Sequence, residues 1–90
     1  MRYALMTTDK PGALQTRMDN REAHLAYIAE TGVVEMAGPV LDDDGNMCGS
    51  LIVLEVADMA AAQDWSANDP YAKAGLFSDV RIQAWKKVIG

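Results

Sequence analysis

The sequence contains few of the residues that build disulfides, metal centres and nucleophilic sites. It has one cysteine and one histidine among 90 residues. Because a disulfide needs two thiols and a structural zinc site needs about four ligands, we expect neither a disulfide within the chain nor a bound metal ion. Cys48 lies next to Gly49 at the expected end of a hairpin, and the histidine is distant from it in the sequence. We therefore interpret Cys48 as an incidental thiol rather than a reactive nucleophile.

Basic charge and long apolar runs are also scarce. Eight Lys and Arg residues stand against thirteen Asp and Glu residues, for a net charge of −5. Such a chain repels polyanions, so we expect no binding to nucleic acid. The apolar run at residues 51–54 is far shorter than the roughly 20 residues that cross a bilayer, and residues 1–10 lack the pattern of a secretory signal. We therefore expect a protein without membrane contacts that works in the cytoplasm.

Length and composition indicate one small globular domain. Half of the residues are hydrophobic, and no internal repeat or flexible linker divides the chain. A chain of this length supports a single core, so we expect one domain over residues 1–90.

The first half of the pattern predicts a strand and a long helix. Side chains alternate over residues 2–8 as in a strand, and Pro11 with Gly12 ends the alternation. Helical spacing over residues 13–31, followed by Gly32 as a stop signal, predicts a helix. Its apolar stripe is predicted to contain Leu14, Met18, Leu25 and Ile28.

The second half predicts a hairpin, another helix and a last strand. Two β-rich segments, residues 33–41 and 51–56, flank an Asp- and Gly-rich turn, which is a hairpin signal. Asp58 can cap a second helix, which ends at Asn68-Asp69-Pro70 because proline disfavours helical backbone before it. After a short connection with one helical turn, residues 80–89 return to strand-like alternation.

The resulting order, β-α-β-β-α-β, is the ferredoxin-like α+β arrangement. It has a four-stranded antiparallel sheet with both helices on one face. The other face is also expected to be apolar, since Leu51 and Val53 point opposite to Ile52 and Leu54, and Met6 and Trp85 add to it. An exposed apolar face of several hundred square ångströms is an association site. We therefore predict a homodimer that joins two sheets face to face.

One stripe of the first helix could carry acid/base chemistry. Arg17, Arg21, His24 and Ile28 follow one another at i, i+4, i+7 and i+11, so two guanidiniums flank the only imidazole. Imidazole titrates near neutral pH, and a carboxylate such as Asp69 could fix which ring nitrogen takes a proton. The alternative is a solvated basic helix edge that is neutralised by Glu22, by Glu30 or by another neighbouring acid.

Other motifs have simple structural explanations. Asp69-Pro70 alone terminates a helix, and Tyr71 and Phe77 could complete a core or shield a flat substrate from water. The Asp-rich turn at residues 42–46 lacks the glycine and glutamate positions of a calcium loop. No glycine-rich phosphate loop or dinucleotide fingerprint occurs, so we expect no cofactor.

Together, these segments resemble the YCII-related family of small dimeric α+β-barrel proteins. The resemblance runs in order from residue 1 to about residue 88. Glu22 and Ala37 depart from it, since such proteins typically have proline and glycine there. The matching segments are residues 9–12, Arg17, residues 21–25, 38–40, 44–45, 49–50 and 69–77.

The resemblance implies paired sheets in a homodimer and a pocket in which His24 meets Asp69. One branch of the family is similar to dehydrochlorinases that eliminate HCl from chlorinated hydroxyquinol compounds. Our first hypothesis is a cofactor-independent enzyme in which His24 and Asp69 perform elimination or isomerisation of a small oxygenated metabolite. Arg17, Arg21 and Tyr71 would bind the substrate.

Two other functions remain open at the level of the sequence. A non-catalytic module could use the same pocket to bind a small molecule, or use the sheet to bind a partner protein. A cofactor-independent monooxygenase follows only from the shared barrel architecture, and a fold by itself is weak evidence for function.

Overall fold

The chain forms one four-stranded antiparallel sheet with three helices. The computed structural model describes residues 1–90, and its elements are β1 (Arg2–Asp9), α1 (Leu14–Thr31), β2 (Val34–Leu41), β3 (Met47–Glu55), α2 (Met59–Asn68), α3 (Pro70–Lys73) and β4 (Phe77–Trp85). The strand order in the sheet is β2-β3-β1-β4. This is the predicted ferredoxin-like topology, and α3 lies in the connection where one helical turn is predicted.

The core lies between the helices and one face of the two central strands. On β1, alternate residues point toward the helices, as predicted, and on β3 the cross-strand partners do the same. Because each central strand has a neighbour on both sides, its helix-facing side chains are fully enclosed. The buried cluster consists of Tyr3, Leu5, Ile52, Leu54, Ala62 and Trp65.

The first helix has the predicted bounds but not the predicted buried face. Gly32 ends α1 in the left-handed conformation, and its amide donates to the Ile28 carbonyl. The predicted apolar stripe is wrong in large part, because Leu14, Met18 and Leu25 are 41%, 50% and 45% exposed. The residues of α1 that are fully buried are Arg17 and His24. The helix thus turns Arg17 and His24 toward the protein.

The β2–β3 hairpin forms with a longer second strand than expected. Asp42 holds the turn, since its carboxylate accepts from the amides of Asp44 and Asn46. β3 begins at Met47 instead of residue 51. Cys48 therefore lies within the strand, where its thiol contacts the Val40 carbonyl.

The last third of the chain follows the predicted capping and turn signals, but the last strand is shifted. Asp58 caps α2 by accepting from the Ala61 amide. β4 covers Phe77–Trp85 rather than residues 80–89. The reason is its partner: β1 begins at Arg2, which pairs with Trp85, so later residues have no strand to bond.

The second face of the sheet is largely uncovered in the single chain. Val53 is buried there, but large apolar side chains around it are 37–53% exposed. The exposed apolar side chains of this face are Met6, Met36, Val40, Leu51 and Trp85.

Each of the three helices is too short or too polar to cross a membrane.

Candidate functional site

The floor of the site is an ion pair between the first strand and the first helix. Arg17 donates from Nε and Nη2 to the two carboxylate oxygens of Asp9, at 2.7 and 2.9 Å. Nη2 also donates to Ser50 Oγ at 2.9 Å. Burial alone would lower the pKa of the Arg17 guanidinium, but Asp9 outweighs it and raises that pKa above the usual value. Arg17 is therefore permanently charged, and its charge is balanced.

His24 meets Asp69 beside this pair. His24 Nδ1 lies 2.7 Å from Asp69 Oδ1, and both side chains are more than nine-tenths buried. The same oxygen accepts from the Tyr71 amide at 3.0 Å, where Asp69 caps the short helix α3. Because an amide proton and α3 fix its position, the carboxylate is held in place for the imidazole.

Tyr71 fills the space between Arg17 and His24 of α1. Its ring stacks on the His24 imidazole with 3.9 Å between centroids, and the Arg17 guanidinium lies 4.7 Å from the Tyr71 ring centre. Phe77 contacts the Tyr71 ring edge-on at 6.2 Å. Burial raises the pKa of the Tyr71 phenol, while Arg17 and Arg21 partly offset that rise. The phenol thus remains protonated near neutral pH.

A cavity of about 180 Å³ opens beside these residues. Its polar wall comes from α1 and α3, and its apolar wall comes mostly from β2 and β3. His24 Nε2 makes no hydrogen bond within the protein. Thr7 Oγ1 is the only fully buried side-chain polar atom without a partner, so Nε2 is not fully buried. The free nitrogen of His24 is therefore accessible from the cavity. The lining residues are Arg17, Arg21, His24, Leu25, Ile28, Ala37, Gly38, Pro39, Met47, Ser50, Ile52 and Tyr71.

The structure brings together all five residues that the sequence singled out. His24, Arg17, Arg21 and Tyr71 line the cavity, and Asp69 lies directly behind His24. Of the acids considered in the alternative interpretation, Glu22 and Glu30 form no ion pair, and other acids, Asp9 and Asp69, lie against Arg17 and His24.

Sequence reasoning missed two parts of the site. Asp9 and Ser50 were placed only within segments that match the family, and neither was given a role in the site. A signal for both was available: Asp9 continues the helix-facing side of β1 after Thr7, and Ser50 pairs with Thr7 on the adjacent strand. A polar residue at an inward position needs a partner, and Arg17 supplies it for both.

No alternative cluster forms a metal site. No group of three or more His, Cys, Asp or Glu side chains is placed to hold a metal ion. The Asp-rich turn is used for its own hydrogen bonds, as described for Asp42 above.

Sequence comparison assigns the chain to a family. A model of the YCII-related domain matches residues 1–86. The chain belongs to the YCII-related family. Relatives include protein YciI of Escherichia coli O6:H1 (strain CFT073) and an uncharacterised protein of Haemophilus influenzae (strain Rd). Each is 34% identical, and each match covers 98% of this chain and 99% of the relative.

Structural comparison finds an enzyme with a similar fold. The fold is similar to that of 5-chloro-2-hydroxyhydroquinone dehydrochlorinase from Burkholderia phenoliruptrix AC1100, solved in complex with 2,5-dihydroxybenzoquinone. The TM-score is 0.87 and the identity 36%, with 96% of this chain and 94% of the other covered. An antibiotic biosynthesis monooxygenase matches with a TM-score of 0.61 at 12% identity, over 98% of both chains. The second match shows a shared fold only.

Proposed function

We propose that this protein is a small, cofactor-independent enzyme that uses His24 and Asp69 as an acid/base dyad. One observation carries the proposal: Asp69 occupies Nδ1 of the imidazole, while Nε2 is free and accessible from the cavity. A carboxylate on one nitrogen fixes the tautomer, so the other nitrogen has a lone pair that can accept a proton. Arg17, Arg21 and Tyr71 border the cavity as substrate-binding residues.

Elimination or isomerisation of a small oxygenated metabolite is the chemistry that fits this dyad. In an elimination, Nε2 accepts a proton from the substrate, and the leaving group departs with its bonding electrons. In an isomerisation, the imidazolium returns the proton to another atom. Both reactions need one group of suitable basicity in a shielded cavity, which a dyad with a single free nitrogen provides.

The relationship to the dehydrochlorinase supports this reaction class. That enzyme's substrate, 5-chloro-2-hydroxyhydroquinone, is a small oxygenated ring. Its size is compatible with the cavity, because an apolar cavity of about 150 Å³ accepts benzene. This compound is therefore the first substrate to test.

We predict that the protein releases chloride from this compound and that His24→Asn lowers kcat by roughly a hundred- to ten-thousand-fold, as expected for lost proton transfer. Chloride release measures turnover, and far-UV circular dichroism checks folding. Lys86→Gln, at an exposed position outside the cavity, is the control and should retain full turnover. Undiminished turnover in a folded His24→Asn variant would contradict the mechanism.

The role of Asp69 can be examined without a substrate. In the native protein, Asp69 holds the imidazole as the Nδ1–H tautomer, which nitrogen-15 chemical shifts of the only histidine report. In Asp69→Asn, both tautomers of His24 should be populated. An amide side chain can either accept a hydrogen bond from Nδ1 or donate one to it, whereas a carboxylate can only accept. If the tautomer is unchanged in Asp69→Asn and ligand affinity is unchanged when His24 is replaced, a non-catalytic binding module would be favoured.

We also propose that the protein forms a homodimer through the uncovered face of its sheet. The exposed methionine, leucine, valine and tryptophan side chains on that face form the apolar patch that a second copy can bury. A twofold pairing presents the same patch from both copies, so the surface has to complement only itself.

A further inference from the structure

The charged groups around the cavity are paired unequally. Arg17 and Asp9 form a closed pair whose side chains are 3% and 6% exposed. Asp69 faces His24 at 2.7 Å. β2 and β3 contribute no charged side chain to the lining. Arg21, which is exposed and lines the same cavity, has no acidic group within ion-pair distance. It is the one cation of the cavity wall without an anion.

The transfer of a proton to His24 would change this pattern. The imidazolium would then pair with Asp69, and the substrate would carry a new negative charge in the cavity. With Arg17 already bound to Asp9, the cation available for that charge is Arg21. After the transfer, each positive group would therefore have one negative partner, so the charge-separated state is more stable than it would be without Arg21.

Tyr71 supplies a second donor on the same wall. Its ring is fixed between His24 and Arg17, and it lines the same cavity as Arg21. A phenol that keeps its proton donates a hydrogen bond to an oxyanion and does not compete with His24 as a base. A guanidinium and a phenol can thus approach one oxygen together.

We infer that Arg21, assisted by the Tyr71 hydroxyl, stabilises the negative charge that a substrate gains when it gives its proton to His24. This inference rests on the proposed function and names its substrate class: a neutral enol, phenol or carbonyl compound of one-ring size that becomes an oxyanion. The proton goes to Nε2, and the electron pair stays on the substrate, delocalised to the oxygen beside Arg21.

The probe for this inference is 4-nitrophenol, which ionises near neutral pH and absorbs visible light only as the phenolate. Bound to the native protein, it should ionise at a pH about one unit lower than in solution, a tenfold preference for the anion. Arg21→Gln should remove this shift and weaken binding about tenfold at a pH where the free probe is ionised. Lys86→Gln removes one positive charge at an exposed position outside the cavity and should leave both values unchanged.

A third variant separates this inference from the proposed dyad. In His24→Gln, pairing between Arg21 and the phenolate needs no imidazole, so most of the shift should persist. An identical shift in Arg21→Gln and the native protein would overturn the inference, as would the absence of any shift on adding protein. Neither result would bear on the tautomer and turnover experiments that test His24 and Asp69.

Discussion

At the scale of single residues, two arginines one helical turn apart have different environments. Arg17 is buried and binds Asp9 through two hydrogen bonds, whereas Arg21 is exposed and unpaired. Removing one partner of a buried pair typically costs about 3–5 kcal/mol, because the other charge is left without compensation. Arg17 is thus bound into the structure, and Arg21 is free to meet a ligand.

Burial of the Tyr71 phenol predicts a loss of stability in alkali. Because its pKa is raised above the ordinary value of about 10, the folded protein keeps the phenol proton where the unfolded chain has lost it. This contribution is fully present below pH 10 or so and is lost as the pH rises through the raised pKa. Tyr71→Phe should therefore lose less stability than the native protein between about pH 9 and pH 11.

Urea unfolding followed by circular dichroism at several pH values measures this difference. For each protein, the free energy of unfolding in alkali is compared with its own value at neutral pH. The stability change caused by removing the hydroxyl group itself then cancels. Parallel declines for the native protein and Tyr71→Phe would show that the phenol ionises equally in both states.

At the scale of secondary-structure elements, the close approach of β1 and β3 places the floor of the site. Gly49 pairs with Thr8, and a Cβ on Gly49 would overlap the Thr7 carbonyl oxygen. The next residue, Ser50, points toward the helices and accepts from Arg17. The absence of a side chain at Gly49 thus allows the strand contact that positions Ser50.

We predict that Gly49→Ala lowers the free energy of unfolding by about 1–3 kcal/mol, as is usual when a methyl group is forced into a packed site. Chemical denaturation measures the change. Gly38→Ala is the matched control, since its Cβ would have no neighbour within 4 Å. That variant should be as stable as the native protein or slightly more stable. Equal stabilities of all three proteins would refute the close approach.

At the scale of the whole molecule, the two faces of the sheet have different roles. One face packs against the helices and, at one end, borders the cavity. The other presents side chains such as Leu51 and Met36, which are 41% and 53% exposed. Since pairing of two copies would cover the second face and leave the helix layer outside, the cavities would lie away from the shared interface.

We predict a dimer in solution that Leu51→Lys converts to a monomer, because a charge in the centre of the patch would have to be desolvated on association. Size-exclusion chromatography with light scattering measures the mass. Met18→Lys places the same charge on the outer side of α1, where Met18 is 50% exposed, and should leave the dimer intact. A monomeric native protein would rule out the proposed assembly.

Much of the fold was predictable because its signals are local. Alternation identified β1, Gly32 ended α1 in the left-handed conformation, and Asp58 capped α2. The end of β4 was not predictable, because it depends on where β1 offers a bonding partner. Likewise, the apolar stripe of α1 did not become its buried face, since the buried pairs of Arg17 and His24 turn the helix the other way.

By itself, the sequence determined the order of elements, the family resemblance and the set of residues able to move a proton. Backbone preferences and hydrophobic spacing act over a few residues, so they can be recognised in a linear chain. The tertiary structure decided how charges are paired: Asp9 reaches Arg17, Asp69 reaches His24 across 45 positions, and Arg21 is left unpaired. Electrostatic pairing depends on distance in space, and only the packing of α1 against β1 and α3 sets those distances.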